Sequence, residues 1–82
     1  MNRYFVDTKN GDFLSVDAEG QEFATRDSIR TEALRALADI SRDEATEGDQ
    51  NVTSVKVRGE DGRPLFYATL TMLSVWLDDG PG

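Results

Sequence analysis

The chain has 82 residues without cysteine or histidine, and its 16 acidic and nine basic residues give a net charge of −7. This length allows one small domain, and the missing residue types exclude disulfides, zinc–thiolate sites and hydrolases that use a histidine base. The charge disfavours binding to nucleic-acid phosphates and anionic membranes, and no apolar segment is long enough for a signal peptide or a membrane span. We therefore expect a cytoplasmic protein with a single domain over residues 1–77 and a disordered polar tail over residues 78–82.

The first predicted element is a β-hairpin around the turn signal Asn10-Gly11, which lies between two short apolar-rich segments. A two-residue loop at this signal would place apolar residues opposite polar ones. A three-residue loop, with Gly11 in the left-handed conformation, instead pairs Val6 with Leu14 and gives one apolar face. We therefore expect the longer loop.

A single amphipathic helix is predicted from about Thr25 to Ala45. Thr25 is the expected N-cap, and Asp27 in the first turn suits the positive end of the helix dipole. Just before the helix, the extended segment 21–23 brings the ring of Phe23 to one end of the core. The apolar residues at helical spacing, which predict the buried face, are Ile29, Ala33, Leu34, Ala36, Leu37 and Ile40.

The second predicted hairpin turns at Asp61-Gly62. A two-residue turn there pairs Val57 with Phe66 and Val55 with Ala68. The buried face of this hairpin is then expected to contain Val55, Val57, Phe66, Ala68, Leu70 and Met72. With the first hairpin and the helix, this predicts an α+β fold, a two-layer ββαββ domain in which one amphipathic helix packs on a four-stranded, mainly antiparallel sheet.

The last strand is longer than its neighbours. A strand from Pro64 to Leu77 would run about 45 Å, against about 23 Å for its hairpin partner. Residues 73–77 must therefore pair with the first strand, bend, turn, or meet another chain. These alternatives stay open from the sequence.

The sheet face turned away from the helix, together with the overlong last strand, is the candidate interaction surface. Its residues are Phe5, Phe13, Lys56, Arg58, Leu65, Tyr67, Leu73 and Trp76. The surface is interpreted as scattered aromatics half-covered by polar neighbours, as a self-association interface, or as a site for a different protein. Aromatic rings beside basic residues also suggest a base-stacking platform, but the acidic neighbours disfavour it.

Candidate acid–base groups are interpreted as solvated turn and loop carboxylates, because a chain this short cannot enclose a catalytic pocket. They are Asp7, Asp12, Asp17, Glu19 and Glu22. The first loop fails as a calcium site, because Lys9 stands where an oxygen ligand is needed and Asp12 where glycine is needed. We expect no catalytic residues, no cofactor, no metal and no enzyme activity.

A series of short motifs runs across nearly the whole chain. They are Arg3-Tyr4-Phe5-Val6, Gly11-Asp12, Asp17, Gly20, Glu22-Phe23, Glu32-Ala33, Leu37-Ala38 and Asp61-Gly62-Arg63-Pro64. In this order they resemble a family of short bacterial proteins catalogued as domain of unknown function 6894 and common in rhizobia and related alphaproteobacteria. The resemblance implies a bacterial origin and a small α+β fold. It implies no catalytic or binding residues, because the family has no established activity.

Three residues depart from the resemblance, since Tyr67, Thr69 and Trp76 stand where it implies more polar side chains. We interpret the chain as a non-catalytic protein-interaction or accessory regulatory module that self-associates as a homodimer or binds another protein. The alternative is a nucleic-acid-associated regulator, either an antitoxin-like dimer or an acidic DNA mimic. Salt-dependent binding to DNA, or binding to a DNA-binding protein, would favour the alternative.

Overall fold

The structure, a computed structural model, describes residues 2–46 and 48–78. Within these residues the chain forms β1 (Asn2–Asn10), β2 (Phe13–Ser15), β3 (Gln21–Phe23), α1 (Arg26–Glu44), β4 (Gln50–Arg58) and β5 (Pro64–Leu73). One helix packs on an antiparallel sheet, which confirms the α+β prediction. The short β3 raises the strand number from four to five. The predicted disordered tail falls, apart from Asp78, outside the described residues.

The sheet has the strand order β2-β1-β4-β5, and all neighbours are antiparallel. The two short strands share one side of β1: β3 pairs with its start, from Asn2 to Tyr4, and β2 pairs with its end, from Thr8 to Asn10. The other side of β1 pairs with β4. β1 is therefore covered on both sides, whereas β5 lies at the far end of the order.

Helix α1 begins where its local sequence predicts. The hydroxyl of Thr25 accepts a hydrogen bond from the Ser28 backbone N–H at 3.1 Å, and the Ser28 hydroxyl accepts one from the Thr25 N–H at 3.3 Å. This reciprocal capping box satisfies two backbone donors that a helix start otherwise leaves free. At the other end, the Asn51 side-chain amide donates to the Glu44 carbonyl at 2.6 Å.

The core lies between α1 and strands β4 and β5. Three predicted helix residues are buried in it, namely Ile29, Ala33 and Leu37, while the other predicted ones are half-buried. They pack with Val55 and Val57 of β4 and with Phe23, which closes one end as predicted. Because the helix sits mainly over β4 and β5, the helix-side surface of β1 and β2 stays open.

The predicted register of the first hairpin is wrong. Asn10 pairs with Phe13, so the loop is Gly11-Asp12, and Leu14 lies opposite Lys9 rather than Val6. Gly11 has a φ of +59°, as the first central position of a type II′ turn requires. The prediction assumed that the hairpin buries its apolar side chains, but the helix does not cover β2, where every residue is exposed. Turn geometry therefore decides the register.

The second hairpin has the predicted pairs, Val57 with Phe66 and Val55 with Ala68. Its turn is longer than predicted, because Gly62 N–H donates to the Gly59 carbonyl and Gly59 N–H to the Arg63 carbonyl, both at 3.0 Å. The result is a three-residue loop with Gly62 at a φ of +83°. The register then shifts between Phe66 and Pro64, so that Leu65 is an extra residue in a β-bulge.

Strand β5 ends at Leu73 and does not continue to Leu77. Pairing with the first strand, one of the open alternatives, does not occur, because β4 lies between β1 and β5. Leu70 and Met72 are on the helix side as predicted, yet they are 44% and 43% exposed. Burial of these two residues was therefore a wrong expectation for a protomer by itself.

Candidate interaction surface

The structure divides the predicted interaction residues between two faces and one end. Phe5, Lys56, Arg58 and Tyr67 share the sheet face opposite the helix, as their cross-strand pairs show. Phe13 does not belong there, because it pairs with Asn10 and so lies on the helix side.

The remaining predicted residues lie elsewhere. Leu65 is redirected by the β-bulge and lines a hollow beside the start of α1, so its predicted position on the far face is also wrong. Leu73 and Trp76 lie at the opposite end of the molecule, where β5 ends.

On the face opposite the helix, the part around Phe5 and Arg58 is held by an internal network, whereas Tyr67 stays 63% exposed. Asp7, which is only 5% exposed, accepts hydrogen bonds from Arg58 Nε at 2.8 Å and from Arg58 Nη2 at 3.3 Å. The Arg58 guanidinium lies 4.7 Å from the centre of the Phe5 ring, a cation–π contact. Arg58 therefore has a structural role, and Asp7 is not the solvated carboxylate that the sequence suggested.

Asp17 fixes the loop between β2 and β3 to this network. Its backbone N–H donates to Asp7 at 2.9 Å, and its carbonyl accepts from Arg58 at 2.8 Å. Its carboxylate accepts the backbone N–H groups of Val6 at 3.1 Å, Glu19 at 3.1 Å and Gly20 at 3.0 Å. Asp17 was also interpreted as a solvated group, and this is wrong for the same reason.

The pKa of both carboxyl groups is lowered by these contacts. For Asp7, burial raises the pKa, but the hydrogen bonds from Arg58 and Asp17 and the charges of Arg58 and Lys56 together outweigh it. For Asp17, the hydrogen bond from Gly20 N–H lowers the pKa most, against a raising effect of burial. The contacts therefore favour the ionised form of both carboxyl groups.

The two outer edges of the sheet differ in how they are covered. On β1, backbone groups that face outward pair with β3 at one end and with β2 at the other. Between them, the outward Val6 N–H is bonded by the Asp17 carboxylate. On this side the sheet therefore ends in two three-residue strands, β2 and β3, which give another strand little backbone to pair with.

The edge of β5 has no partner strand among the described residues. Ser74 N–H donates to the Asp49 carbonyl at 2.8 Å, so even-numbered positions along β5 direct their backbone groups toward β4. The alternate positions Tyr67, Thr69, Thr71 and Leu73 therefore direct their N–H and C=O groups outward. The sequence interpretation considered side chains and missed this backbone surface, although the absence of any charged residue from Pro64 to Leu77 signals an unprotected edge.

Residues 74–78, here called the C-terminal arm, follow β5 outside the sheet. Three consecutive apolar side chains of the arm are largely exposed: Val75 at 74%, Trp76 at 82% and Leu77 at 95%. Adjacent exposed apolar residues of this size are typical of an interaction site rather than of ordinary surface.

Three of the hollows in the described part of the chain are lined by α1, and one of them, of about 290 Å³, lies between Ser41 and the end of β5. An open one of about 560 Å³ lies between the helix and strands β1 and β2, with Glu19 and Glu32 among its lining residues. A smaller one of about 190 Å³ lies beside the helix start. Among the described residues, no group of three or more acidic side chains is placed to hold a metal ion, and no described helix is long and apolar enough to cross a membrane.

Comparison with known proteins gives one result. Neither the curated proteins nor the solved structures contain a significant match to the chain. A protein-family model described as a domain of unknown function (DUF6894) matches residues 3–71, which include the helix, strands β2 to β4 and most of β1 and β5. The chain therefore belongs to the DUF6894 family.

Proposed function

We propose that this protein is a non-catalytic interaction module that self-associates through the open edge of β5. The observation that carries the proposal is the contrast between the two sheet edges. On one side the sheet ends in two three-residue strands, β2 and β3, with the Asp17 carboxylate between them, whereas the other side ends in a ten-residue strand without a charged side chain. A long, apolar, uncovered edge favours the addition of another strand.

A second copy of the chain fits this edge by symmetry. If Leu70 faces its own copy across a two-fold axis, Thr69 pairs with Thr71 of the partner subunit, and Tyr67 pairs with Leu73 of the partner subunit. Tyr67, Thr69, Thr71 and Leu73 direct their backbone groups outward, so about eight hydrogen bonds form between the subunits. The axis is perpendicular to the sheet, which places both helices on the same face.

This pairing also covers the side chains that the protomer leaves exposed on the helix side of β5. Leu70 meets its own copy, and Met72 meets Ala68 of the partner subunit. Cross-strand apolar pairs of this kind stabilise a sheet by about 0.2–1 kcal/mol each. The half-exposed Leu70 and Met72 thereby obtain the burial that their alternating pattern predicts.

Charge makes the association dependent on salt. Two copies, each with a net charge of −7, repel each other over long range, but the contacting strands carry no charge. Added salt screens the repulsion without weakening the contact itself. The dimer is therefore expected to tighten as ionic strength rises, in contrast to a complex with nucleic acid, which weakens.

The nucleic-acid alternative has less support. A base-stacking platform needs free cations around its aromatic rings. The Arg58 guanidinium beside Phe5 is engaged by Asp7 and by the Asp17 carbonyl. This leaves Lys56, opposite Tyr67, and Lys9, opposite Ser54, as the lysines on this face.

The test is molar mass by light scattering over a dilution series, for the full chain and two variants at one position. Thr71→Pro removes an outward N–H without removing a hydrogen bond to β4, whereas Thr71→Ala keeps that N–H. We expect a dimer for the wild type and for Thr71→Ala, and a folded monomer for Thr71→Pro. A wild-type monomer at every concentration, or a Thr71→Pro dimer of unchanged affinity, would refute the proposal.

A further inference from the structure

The C-terminal arm carries a more specific inference, which rests on the proposed dimer. We propose that Trp76 of each subunit packs into the hollow beside the helix start of the other subunit. This hollow is lined by Tyr4, Arg26, Ile29, Leu65 and Phe66. The arm and the hollow thus form two symmetry-related contacts that flank the paired β5 strands.

The area that the paired β5 strands can bury is smaller than a stable interface needs, so a further contact between the subunits is required. The edge of β5 is a strip about 30 Å long and about 10 Å high, or roughly 300 Å² per subunit. A stable interface covers about 800 Å² per partner. Strand pairing alone is too small, and the exposed side chains of the arm are the nearest apolar surface that can supply the remainder.

The hollow suits an aromatic ring. Its volume is about 190 Å³, and a cavity of about 150 Å³ is sufficient for a benzene ring. Four of its five lining residues are apolar or aromatic. The fifth, Arg26, makes no ion pair with any described residue, so its guanidinium is available to lie over the indole of Trp76.

The register of the proposed dimer brings the two features together. When Leu70 faces its own copy, Trp76 reaches the position opposite Pro64 of the partner subunit. When the register shifts so that Thr71 faces its own copy, Trp76 lies opposite Phe66 of the partner subunit. In both registers the indole is next to the partner's Leu65, which lines the hollow.

The direction of the Trp76 side chain also agrees with the hollow. Side chains alternate between faces along an extended chain, so an arm that continues β5 in the dimer places Trp76 in series with Leu70 and Met72 on the helix side. The hollow opens on the same side, because Arg26 and Ile29 of α1 form its upper wall. Trp76 is about 10 Å beyond Leu73 in an extended arm, which is enough to pass the bulge of the partner.

Trp76 is the single tryptophan of the chain and so reports its own surroundings. The experiment measures its fluorescence emission and acrylamide quenching on the samples used for light scattering. We expect blue-shifted, protected emission where the mass is that of the dimer, and red-shifted, quenchable emission after dilution to the monomer. We also expect Trp76→Ala to weaken dimerisation by about 30-fold or more, the size of an interface tryptophan truncation.

Two matched variants locate the contact. Leu65→Ser changes the hollow, and Leu14→Ser makes the same change at an exposed leucine on the opposite edge of the sheet. Leu65→Ser is expected to expose Trp76 in the dimer, and Leu14→Ser to leave its emission unchanged. A dimer with fully quenchable Trp76 would refute this inference while leaving β5 pairing intact, whereas a wild-type monomer at every concentration would refute both.

Discussion

Truncation of Leu37 tests the packing of the helix on the sheet. The side chain is 5% exposed and lies in the core with Val55 and Val57. Leu37→Ala removes three buried carbons, which lowers the free energy of unfolding by about 2.4 kcal/mol at about 0.8 kcal/mol per methylene. The cavity left behind raises the total loss to about 3–5 kcal/mol. A domain of 82 residues has a free energy of unfolding of about 4–12 kcal/mol, so this one change removes much of its stability.

The loss is large enough to read as a melting temperature. At about 2.1 cal/mol/K per residue, unfolding of the 82-residue chain has an entropy of about 170 cal/mol/K, so a loss of 3 kcal/mol lowers Tm by about 17 °C. The control is Leu14→Ala, the same deletion at a side chain that is 59% exposed, which should cost about 0.5 kcal/mol or less. Thermal unfolding followed by circular dichroism measures both. Equal shifts for the two variants would refute the assignment of the helix face.

Three further changes test local features. Thr25→Ala removes the helix cap and should cost about 1 kcal/mol, measured by urea unfolding, with an unchanged value contradicting the role of the capping box. Because the pKa values of Asp7 and Asp17 are lowered from 3.8, their stabilisation is present above that pH and is lost as pH falls through the folded-state values. Urea unfolding from about pH 6 to about pH 2 should therefore show a decline below about pH 4 that is shallower for Asp7→Asn, and equal slopes would contradict the network. Gly20 and Gly11 both have positive φ, so alanine strains the backbone at either position. Only at Gly20 does the added Cβ also lie 2.8 Å from the Phe5 ring, because Gly11 has no atom within 4 Å. Gly20→Ala should therefore lower Tm more than Gly11→Ala. Similar Tm values would contradict the close contact of that loop with β1.

The helix was predictable because its determinants are local. Thr25 and Ser28 cap it within one turn, and the spacing of Ile29, Ala33 and Leu37 defines its buried face without reference to the rest of the chain. The second hairpin was also predictable in its pairs, since Val55 and Val57 are buried by that helix and fix the register. Local signals and burial agree in these two elements.

The first hairpin was not predictable in the same way. Its register argument required that Leu14 be buried, and burial depends on where the helix lies across the sheet, which is a tertiary property. The two turns also exchanged their predicted types, since the three-residue loop with a left-handed glycine formed at Gly62 and the two-residue loop at Gly11. Similar glycine signals are compatible with both loops when no buried side chain decides between them.

The candidate site was only partly predictable because two kinds of contact are invisible in the sequence. The hydrogen bond between Asp7 and Arg58 joins residues 51 positions apart. It gives Arg58, which was predicted to belong to an interaction surface, a structural role. The outward backbone groups of β5 depend on strand order, which the sequence left open. The pattern of side chains was enough to identify Trp76 as a candidate interaction residue. The open edge of β5 beside it can be recognised only from the strand order.

The different treatment of the two edges is the strongest reason to look for a partner at β5. Covering the β1 edge uses two short strands and the Asp17 carboxylate, and it places nearly all of residues 13–23 on one side of the molecule. The same chain leaves the outer edge of the ten-residue β5 and the apolar arm exposed, in a protein where 30% of residues are charged. A solvent-exposed strand is ordinarily interrupted by lysine, proline or a bulge within its length. In β5 the only proline and the bulge lie at its start, so the segment from Phe66 to Leu73 keeps the regular backbone that a second strand requires.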